Sequence, residues 1–287
     1  MSTAALTMVL TAAVLHALWN LAAKGVRGDP VVFVWLYFTA KACLLLPLAL
    51  VQIIIQNHSF GWELLYAPVV TAILHIAYSV LLQVGYRQAD LGIVYPIARG
   101  TGPLLAVLAA VALLGERPSS VALTGGIIII GGILVVTGAR LFRRTSGLST
   151  GLFYGLATGT AIAGYTLWDD LSVTTLAIPP LIYYGLGCVA QSLVMLPWVV
   201  HRRAQLALTL RTNRRQVAAV AVLSPAAYLL VLYALQTTSV ALVAPVRESS
   251  IVIGSLMAWW LFREPDPVRR ILGAGVVAIG IGLVATG

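Results

Sequence analysis

Charge is what this chain has least of: Asp, Glu, Lys and Arg together make up 9% of its 287 residues. A water-soluble domain carries roughly a quarter charged residues, so a soluble globular fold is excluded. Cysteine is almost as scarce. The two present, Cys43 and Cys188, have no metal-ligand spacing and fall within apolar stretches, where each reads as a small packing residue. Long polar segments are missing too. The longest connection between apolar stretches covers about residues 201 to 215, which leaves no room for a soluble catalytic module. No His/Asp or Ser/His set has the spacing an intramembrane hydrolase would need in facing spans, so no covalent chemistry is expected. The first apolar stretch lacks a basic leading region and an A-x-A site, and is read as a retained helix and not as a signal peptide.

What remains is hydrophobic: 60% of the residues, with a mean hydropathy of +0.97. A membrane span needs roughly 20 mostly apolar residues. Ten stretches qualify, near residues 3 to 23, 31 to 55, 66 to 86, 91 to 114, 120 to 138, 151 to 169, 178 to 200, 216 to 236, 240 to 262 and 268 to 286. The net charge of +9 comes from Lys and Arg in the short connections, which membrane topology explains better than a nucleic-acid partner.

Sliding the chain along itself by 149 residues aligns Leu18-Trp19 with Leu167-Trp168, Pro96 with Pro245, Gly126 with Gly275, Gly131 with Gly280, and Thr137-Gly138 with Thr286-Gly287. Glu116-Arg117-Pro118 matches Arg263-Glu264-Pro265 after a one-residue slip. This is an internal duplication with five helices per copy. An odd number makes the second copy enter the membrane from the opposite side. With the N-terminus outside, one face receives Lys24, Arg27, Arg87, Arg140, Arg143, Arg144, Arg202, Arg203, Arg211, Arg214, Arg215, Arg263, Arg269 and Arg270, and the other only Arg117. The positive-inside rule makes the Arg-rich face cytoplasmic and puts both termini outside. Lys24 and Arg27 follow the first helix whereas Asp169 and Asp170 are placed after the sixth, the reversal that inversion expects.

The segments LHALWN (15 to 20), YPIARGTGPLLAVLAAVALLGERPS (95 to 119) and VAPVRESSIVIGSLMAWWLFREP (243 to 265) resemble the two repeats of the EamA-like branch of the drug/metabolite transporter superfamily. The likeness spans almost the whole chain. It implies an all-α integral membrane protein, ten transmembrane helices arranged as two inverted five-helix repeats around a central cavity. The first repeat would occupy residues 1 to 138, a basic cytoplasmic linker 139 to 150, and the second repeat 151 to 287. Transporters similar to it export amino acids and other metabolites, extrude drugs, or exchange phosphorylated sugars and nucleotide sugars.

Ionisable groups in mid-span are costly and are expected to face a cavity or a partner. Arg99 and Glu248 occupy equivalent positions in the 149-residue register, each three residues after Pro96 or Pro245, and Arg247 adjoins Glu248. The resemblance puts the helices bearing them at the cavity. The two prolines remove backbone donors and can free a carbonyl for a ligand. Lys41 adds a third cation, and three cations against one carboxylate favour an anionic ligand; a structural Arg99-Glu248 ion pair with merely bent helices is the open alternative. His16, Trp19 and Asn20 share one face of the first helix, Tyr165, Trp168 and Asp169 one of the sixth, and His75, Tyr78 and Ser79 one of the third. With Tyr95 and Tyr228, and without Asp169 and Ser79, these complete the candidate substrate-binding set, although a lone polar residue in a span is often only an interhelical hydrogen-bonding group. Trp198, Trp259 and Trp260 read as interfacial anchors, and Trp35 fits either role.

The glycines Gly125, Gly126, Gly131, Gly132, Gly273, Gly275, Gly280 and Gly282 follow no strand. They are expected to let the fifth and tenth helices pack closely, against each other or across a dimer, and not to bind a nucleotide. Glu116 and Glu264 read as capping and turn signals. No cofactor or metal is expected. The partners would be a small-molecule substrate and the lipid bilayer, in a monomer or homodimer. Protons are permitted as a coupling ion through Glu248, His16 or His75. The leading reading is a secondary-active exporter or exchanger of amino-acid-like or other organic anions. The alternatives are a multidrug exporter of lipophilic cations, whose small relatives carry a first-helix Glu that is absent here, and a lipid-linked sugar flippase. Arg-rich, Ala-rich usage suggests a bacterial cytoplasmic membrane.

Overall fold

In lipid the backbone must satisfy its own hydrogen bonds, and a chain made of apolar runs does so by coiling. The structure, a computed structural model, describes residues 1–23, 26–57, 61–89, 91–137, 148–262 and 267–287. Lys24, Gly138, Arg140, Arg143, Arg144, Arg263, Glu264 and Pro265, on which parts of the topology and repeat argument rest, lie outside the described residues, as does most of the expected linker. Among the described residues there are eleven α-helices and no strands: α1 (Thr3–Ala23), α2 (Pro30–Ile55), α3 (Glu63–Gln88), α4 (Leu91–Leu113), α5 (Ser120–Thr137), α6 (Leu148–Thr174), α7 (Pro180–Val200), α8 (Leu206–Leu235), α9 (Val240–Arg247), α10 (Ser249–Phe262) and α11 (Pro267–Thr286).

Local chemistry sets several of these ends. Asp29 caps α2, its Oδ1 accepting from Val31 N–H at 2.8 Å and Val32 N–H at 3.1 Å, and Pro30 supplies a pre-set first turn. Glu116 caps α9 from the other repeat: Oε1 accepts from Val240 N–H at 2.8 Å and Oε2 from Ala241 N–H at 3.0 Å. The expected ninth span is two helices. Pro245 has no N–H to give, and the chain leaves helical bonding at Glu248, between α9 and α10. α8 begins ten residues earlier than expected and kinks at Asn213, whose side chain holds the Arg27 backbone through both Oδ1 and Nδ2.

Nine helical stretches among the described residues are long and apolar enough to cross a bilayer, with α9 and α10 together supplying one of them. The exception is α6. It is 27 residues long but rich in Gly and Thr, and it runs on to Thr174, so Asp169 and Asp170 are not in a loop as expected but buried within the helix. The loop-charge reversal read from those two residues therefore fails.

Inversion has firmer support in the packing. α5 pairs with its duplicate α11 in antiparallel fashion: Gly125 faces Gly280, and Gly132 faces Gly273. A Cβ on Gly125 would come within 2.7 Å of Gly280 O, so only glycine admits this approach. α2 likewise runs antiparallel to α7, Trp35 Nε1 donating to Ser192 O at 3.0 Å while Gly185 rests against Ala49. The remaining contacts come in symmetry twins. α1 packs on α8 and α3 on α6; α2 packs on α8 and α3 on α7; α4 packs on α6 and α10 on α1.

Candidate functional site

Helices of both repeats surround a cavity where their duplicated segments cross. α4 and α9 meet there, and the duplicated positions touch: Arg99 Nη1 lies 3.3 Å from Glu248 Oε2. The other oxygen, Oε1, is 3.4 Å from Arg247 Nη2, so one carboxylate bridges two guanidinium groups. Arg247 also donates toward Thr166 Oγ1 at 3.5 Å. Each arginine stands over a tyrosine ring, Arg99 over Tyr95 at 5.6 Å and Arg247 over Tyr165 at 5.8 Å.

Around this cluster is a central cavity of about 120 Å³, within which the chain brings together His16, Trp19, Lys41, His75, Tyr78, Arg99, Tyr165, Tyr228, Arg247 and Glu248. These residues come from seven helices of both repeats. Lys41 is 3% exposed; its Nζ donates to Ser224 Oγ at 2.8 Å and sits 4.9 Å from the Tyr37 ring and 5.2 Å from that of Phe38. Among the described residues no carboxylate lies within ion-pair distance of it. The walls are aromatic. His75 stacks on Tyr165 at 4.1 Å and meets Tyr228 edge-on at 5.5 Å, and Tyr184 lies 4.9 Å from Tyr228. Gln191 also lines the cavity, and its Oε1 is buried with no protein hydrogen-bond partner.

A second cavity of about 610 Å³ shares the wall residues His16, Arg99 and Ser250 with the first. Asn20, Tyr95, Pro96, Arg269 and Arg270 line it, together with the last residue of α1, Ala23, and the last of α5, Thr137. Those chain ends put its mouth on the Arg-rich face. The wider cavity thus lies between the central one and the Arg-rich end of the bundle. Toward the other side the central cavity is closed by a layer in which Asp169 accepts from Thr71 Oγ1 at 2.6 Å, Tyr183 O–H at 2.5 Å and Tyr228 O–H. Below that layer Ile178, Ile182, Leu232 and Leu235 pack with no exposure above 3%.

The placements differ in kind from residue to residue. Asn20 and Tyr95 lie in the wider vestibule and not in the central cavity; Asn20 Nδ2 donates to its own helix at His16 O, 2.8 Å away. Trp168 lies in neither. Its indole N–H donates to Ala67 O at 3.0 Å and fastens α6 to α3. Pro96 lies on the vestibule wall, and Pro245 packs against Gly126, with α9 ending two residues on. Trp198 and Trp260 are more than half exposed on the outer surface. The sequence reading missed Tyr37, Tyr184, Gln191, Ser224 and Ser250. Tyr184 and Gln191 share one face of α7 at a spacing of seven, a signal hidden by the uniformly apolar residues around them.

A model of the EamA-like transporter family matches the chain twice, over residues 3–138 and 149–286. No curated protein matches it at a significant level by sequence. Among solved structures, one described as "Crystal structure of protein" superposes with a TM-score of 0.77 at 16% identity, over 100% of this chain and 98% of that one, a likeness of fold.

Proposed function

The chain belongs to the EamA-like transporter family, and from that membership we propose that it is a secondary-active exporter or exchanger of a small organic anion, amino-acid-like in size and charge, working by alternating access. The observation that carries this reading is the charge imbalance of the central cavity. Lys41, Arg99 and Arg247 face a single carboxylate, Glu248, so the wall offers unmatched positive charge where water is scarce. An anion supplies the balance. Gln191 Oε1 and the rings of Tyr37 and Tyr184 offer an acceptor and π faces to an ammonium group on the same solute. A lipophilic cation would meet like charge at every cationic wall position, which disfavours the multidrug reading. Under the positive-inside rule the vestibule opens to the cytoplasm, both termini lie outside, and the conformation is inward-facing.

Counterflow in proteoliposomes tests this with a panel of anionic, zwitterionic and cationic solutes, on wild type and on the Arg99→Gln and Arg247→Gln variants. Anionic or zwitterionic solutes should exchange, and both substitutions should abolish exchange in folded protein. Exchange of lipophilic cations alone, or normal transport by both variants, would sink the proposal.

A further inference from the structure

One fully buried carboxylate is not used by the substrate reading. Asp169 is 0% exposed, and among the described residues no cation lies within ion-pair distance of it. Three hydroxyls hold it, from Thr71, Tyr183 and Tyr228, each on a different helix. A buried carboxylate without a counter-ion is costly unless donors surround it, and these donors are available only while α3, α7 and α8 converge on α6.

The same group is wired to the cavity. Thr71 has one hydroxyl proton, which it gives to Asp169, and its Oγ1 lies 3.0 Å from His75 Nδ1, itself 2.9 Å from Thr71 O. His75 in turn lines the central cavity between Tyr165 and Tyr228. Carboxylate, hydroxyl and imidazole therefore form an unbroken hydrogen-bonded path from a sealed position to the central cavity.

We propose that Asp169 carries the coupling proton of the transport cycle and that Thr71 and His75 pass it between Asp169 and the central cavity. This rests on the transporter reading above, to which it adds the coupling ion and its site. With Asp169 protonated, its O–H donates to Thr71 Oγ1, Thr71 O–H donates to His75 Nδ1, and His75 Nε2–H donates to water in the cavity. One proton shift along each bond leaves Asp169 charged, Thr71 and His75 neutral, and one hydronium in the cavity. The arrangement seen, with Thr71 donating to Asp169, is the state after release. When α3, α7 and α8 part on the closed side, Asp169 meets the opposite solution and takes up the next proton, so proton and substrate move in opposite directions.

The neighbours on every packed helix are compatible with this path. Tyr183 faces the carboxylate from α7, Tyr228 from α8, and Thr71 with His75 from α3. Arg247 of α9 reaches α6 at Thr166, and Arg99 of α4 lies within electrostatic reach of Tyr165. Lys41 and Arg247 lie within electrostatic reach of His75, and Glu116 within electrostatic reach of Asp170. In the 149-residue register Asp169, Thr71, Tyr183 and Tyr228 correspond to Asn20, Val220, Val34 and Ser79. Those four cannot build a second such site, so each chain carries one.

Infrared spectra of the purified protein in lipid nanodiscs, titrated from alkaline to acid pH, read the carboxyl C=O band directly and need no transported solute. Wild type should gain, among the protonated-carboxyl bands of its nine Asp and Glu, one component that Asp169→Asn lacks and Asp170→Asn keeps. Asp169→Glu should move the band without removing it, which guards against a variant that misfolds. Thr71→Val and His75→Gln should keep the band but slow its hydrogen–deuterium exchange by about tenfold or more. Carboxyl spectra of Asp169→Asn that match wild type component for component, or exchange at the wild-type rate in Thr71→Val, overturn the proposal. A solute panel in which nothing anionic is exchanged would overturn the substrate reading and leave this spectroscopic result standing.

Discussion

Replacing Glu248 and Arg99 by glutamine, singly and together, separates a binding site from a structural ion pair. Glu248 contacts Arg99 at 3.3 Å and Arg247 at 3.4 Å. At an effective dielectric of about 20, each contact represents a gross attraction of about 5 kcal/mol, most of it offset by the desolvation of both partners. The singles are therefore not equivalent. Glu248→Gln leaves two guanidinium groups facing each other and should cost about 3–5 kcal/mol. Arg99→Gln leaves Glu248 still paired with Arg247 and should cost only about 1–3 kcal/mol. The double variant should recover part of the larger loss, because only Arg247 is then left without its carboxylate, where the single change left two guanidinium groups facing each other. Binding should run the other way. Glu248→Gln raises the positive charge of the cavity and should tighten anion binding, whereas Arg99→Gln and the double variant should weaken it. Equilibrium unfolding in mixed micelles reads the first quantity, and titration calorimetry in nanodiscs with the anion found by counterflow reads the second. A double variant with wild-type stability and unchanged anion affinity would refute the reasoning, since Arg99 would then serve only to neutralise Glu248.

Lys41→Met should leave unfolding stability unchanged or slightly higher, because it removes a buried charge with no carboxylate beside it, while weakening anion binding at least about tenfold, or 1.4 kcal/mol; calorimetry and thermal unfolding check the two together. Gly132→Ala puts a Cβ 2.6 Å from Val277 Cγ2 and 3.0 Å from Gly273 O and should destabilise the α5–α11 contact by about 1–3 kcal/mol, whereas Gly131→Ala meets open space and should be neutral or gain up to about 1 kcal/mol of helix propensity; thermal unfolding of both in the same detergent makes the comparison. Glu116→Ala removes both cap bonds from the α9 N-terminus and should cost about 0.5–2 kcal/mol. Because α9 ends at Arg247, the same change should lower transport rate more than substrate affinity, which counterflow over a range of solute concentrations resolves.

The helices were legible because lipid leaves few alternatives: an apolar run of span length forms a helix, and the duplication told which helices are equivalent. The site was legible wherever a polar residue stood out from its span, as at Lys41, Arg99 and Glu248. Three things were not. Asp169 looked like a loop residue because runs of polarity normally end a span, yet partners on α3, α7 and α8 let the helix continue past it to Thr174. The break after Arg247 could not be separated from a simple kink, because Pro96 sits at the equivalent place in α4 and that helix stays continuous. Tyr184 and Gln191 carry no charge and gain meaning only through what lies opposite them. The glycines taught a finer lesson. The pairs that repeat in sequence, Gly126 with Gly275 and Gly131 with Gly280, are not the pairs that touch, since an antiparallel crossing matches Gly125 with Gly280 and Gly132 with Gly273.

The duplication also explains why the centre of the molecule is charged as it is. A perfect repeat would place the same residue at both positions that meet on the pseudo-two-fold axis, and two like charges at 3.3 Å in a buried channel would repel strongly. Arg99 opposite Glu248 removes that repulsion and ties the repeats together at the point about which, in the proposed mechanism, they rock. The gates depart from symmetry in the same manner. On the closed side Asp169 joins three helices through hydroxyls; the equivalent level near the vestibule offers Asn20, Val34, Ser79 and Val220, which can close by packing but not by gathering donors on a charge. The two end states of the cycle are therefore unequal in what holds them. In the proposed cycle the closed side is held while Asp169 accepts from three hydroxyls, and a proton bound there takes up part of that acceptor capacity. Such a lock gives the proposed coupling proton a site on one side only, while the direction of net flux stays set by the gradients of proton and substrate together.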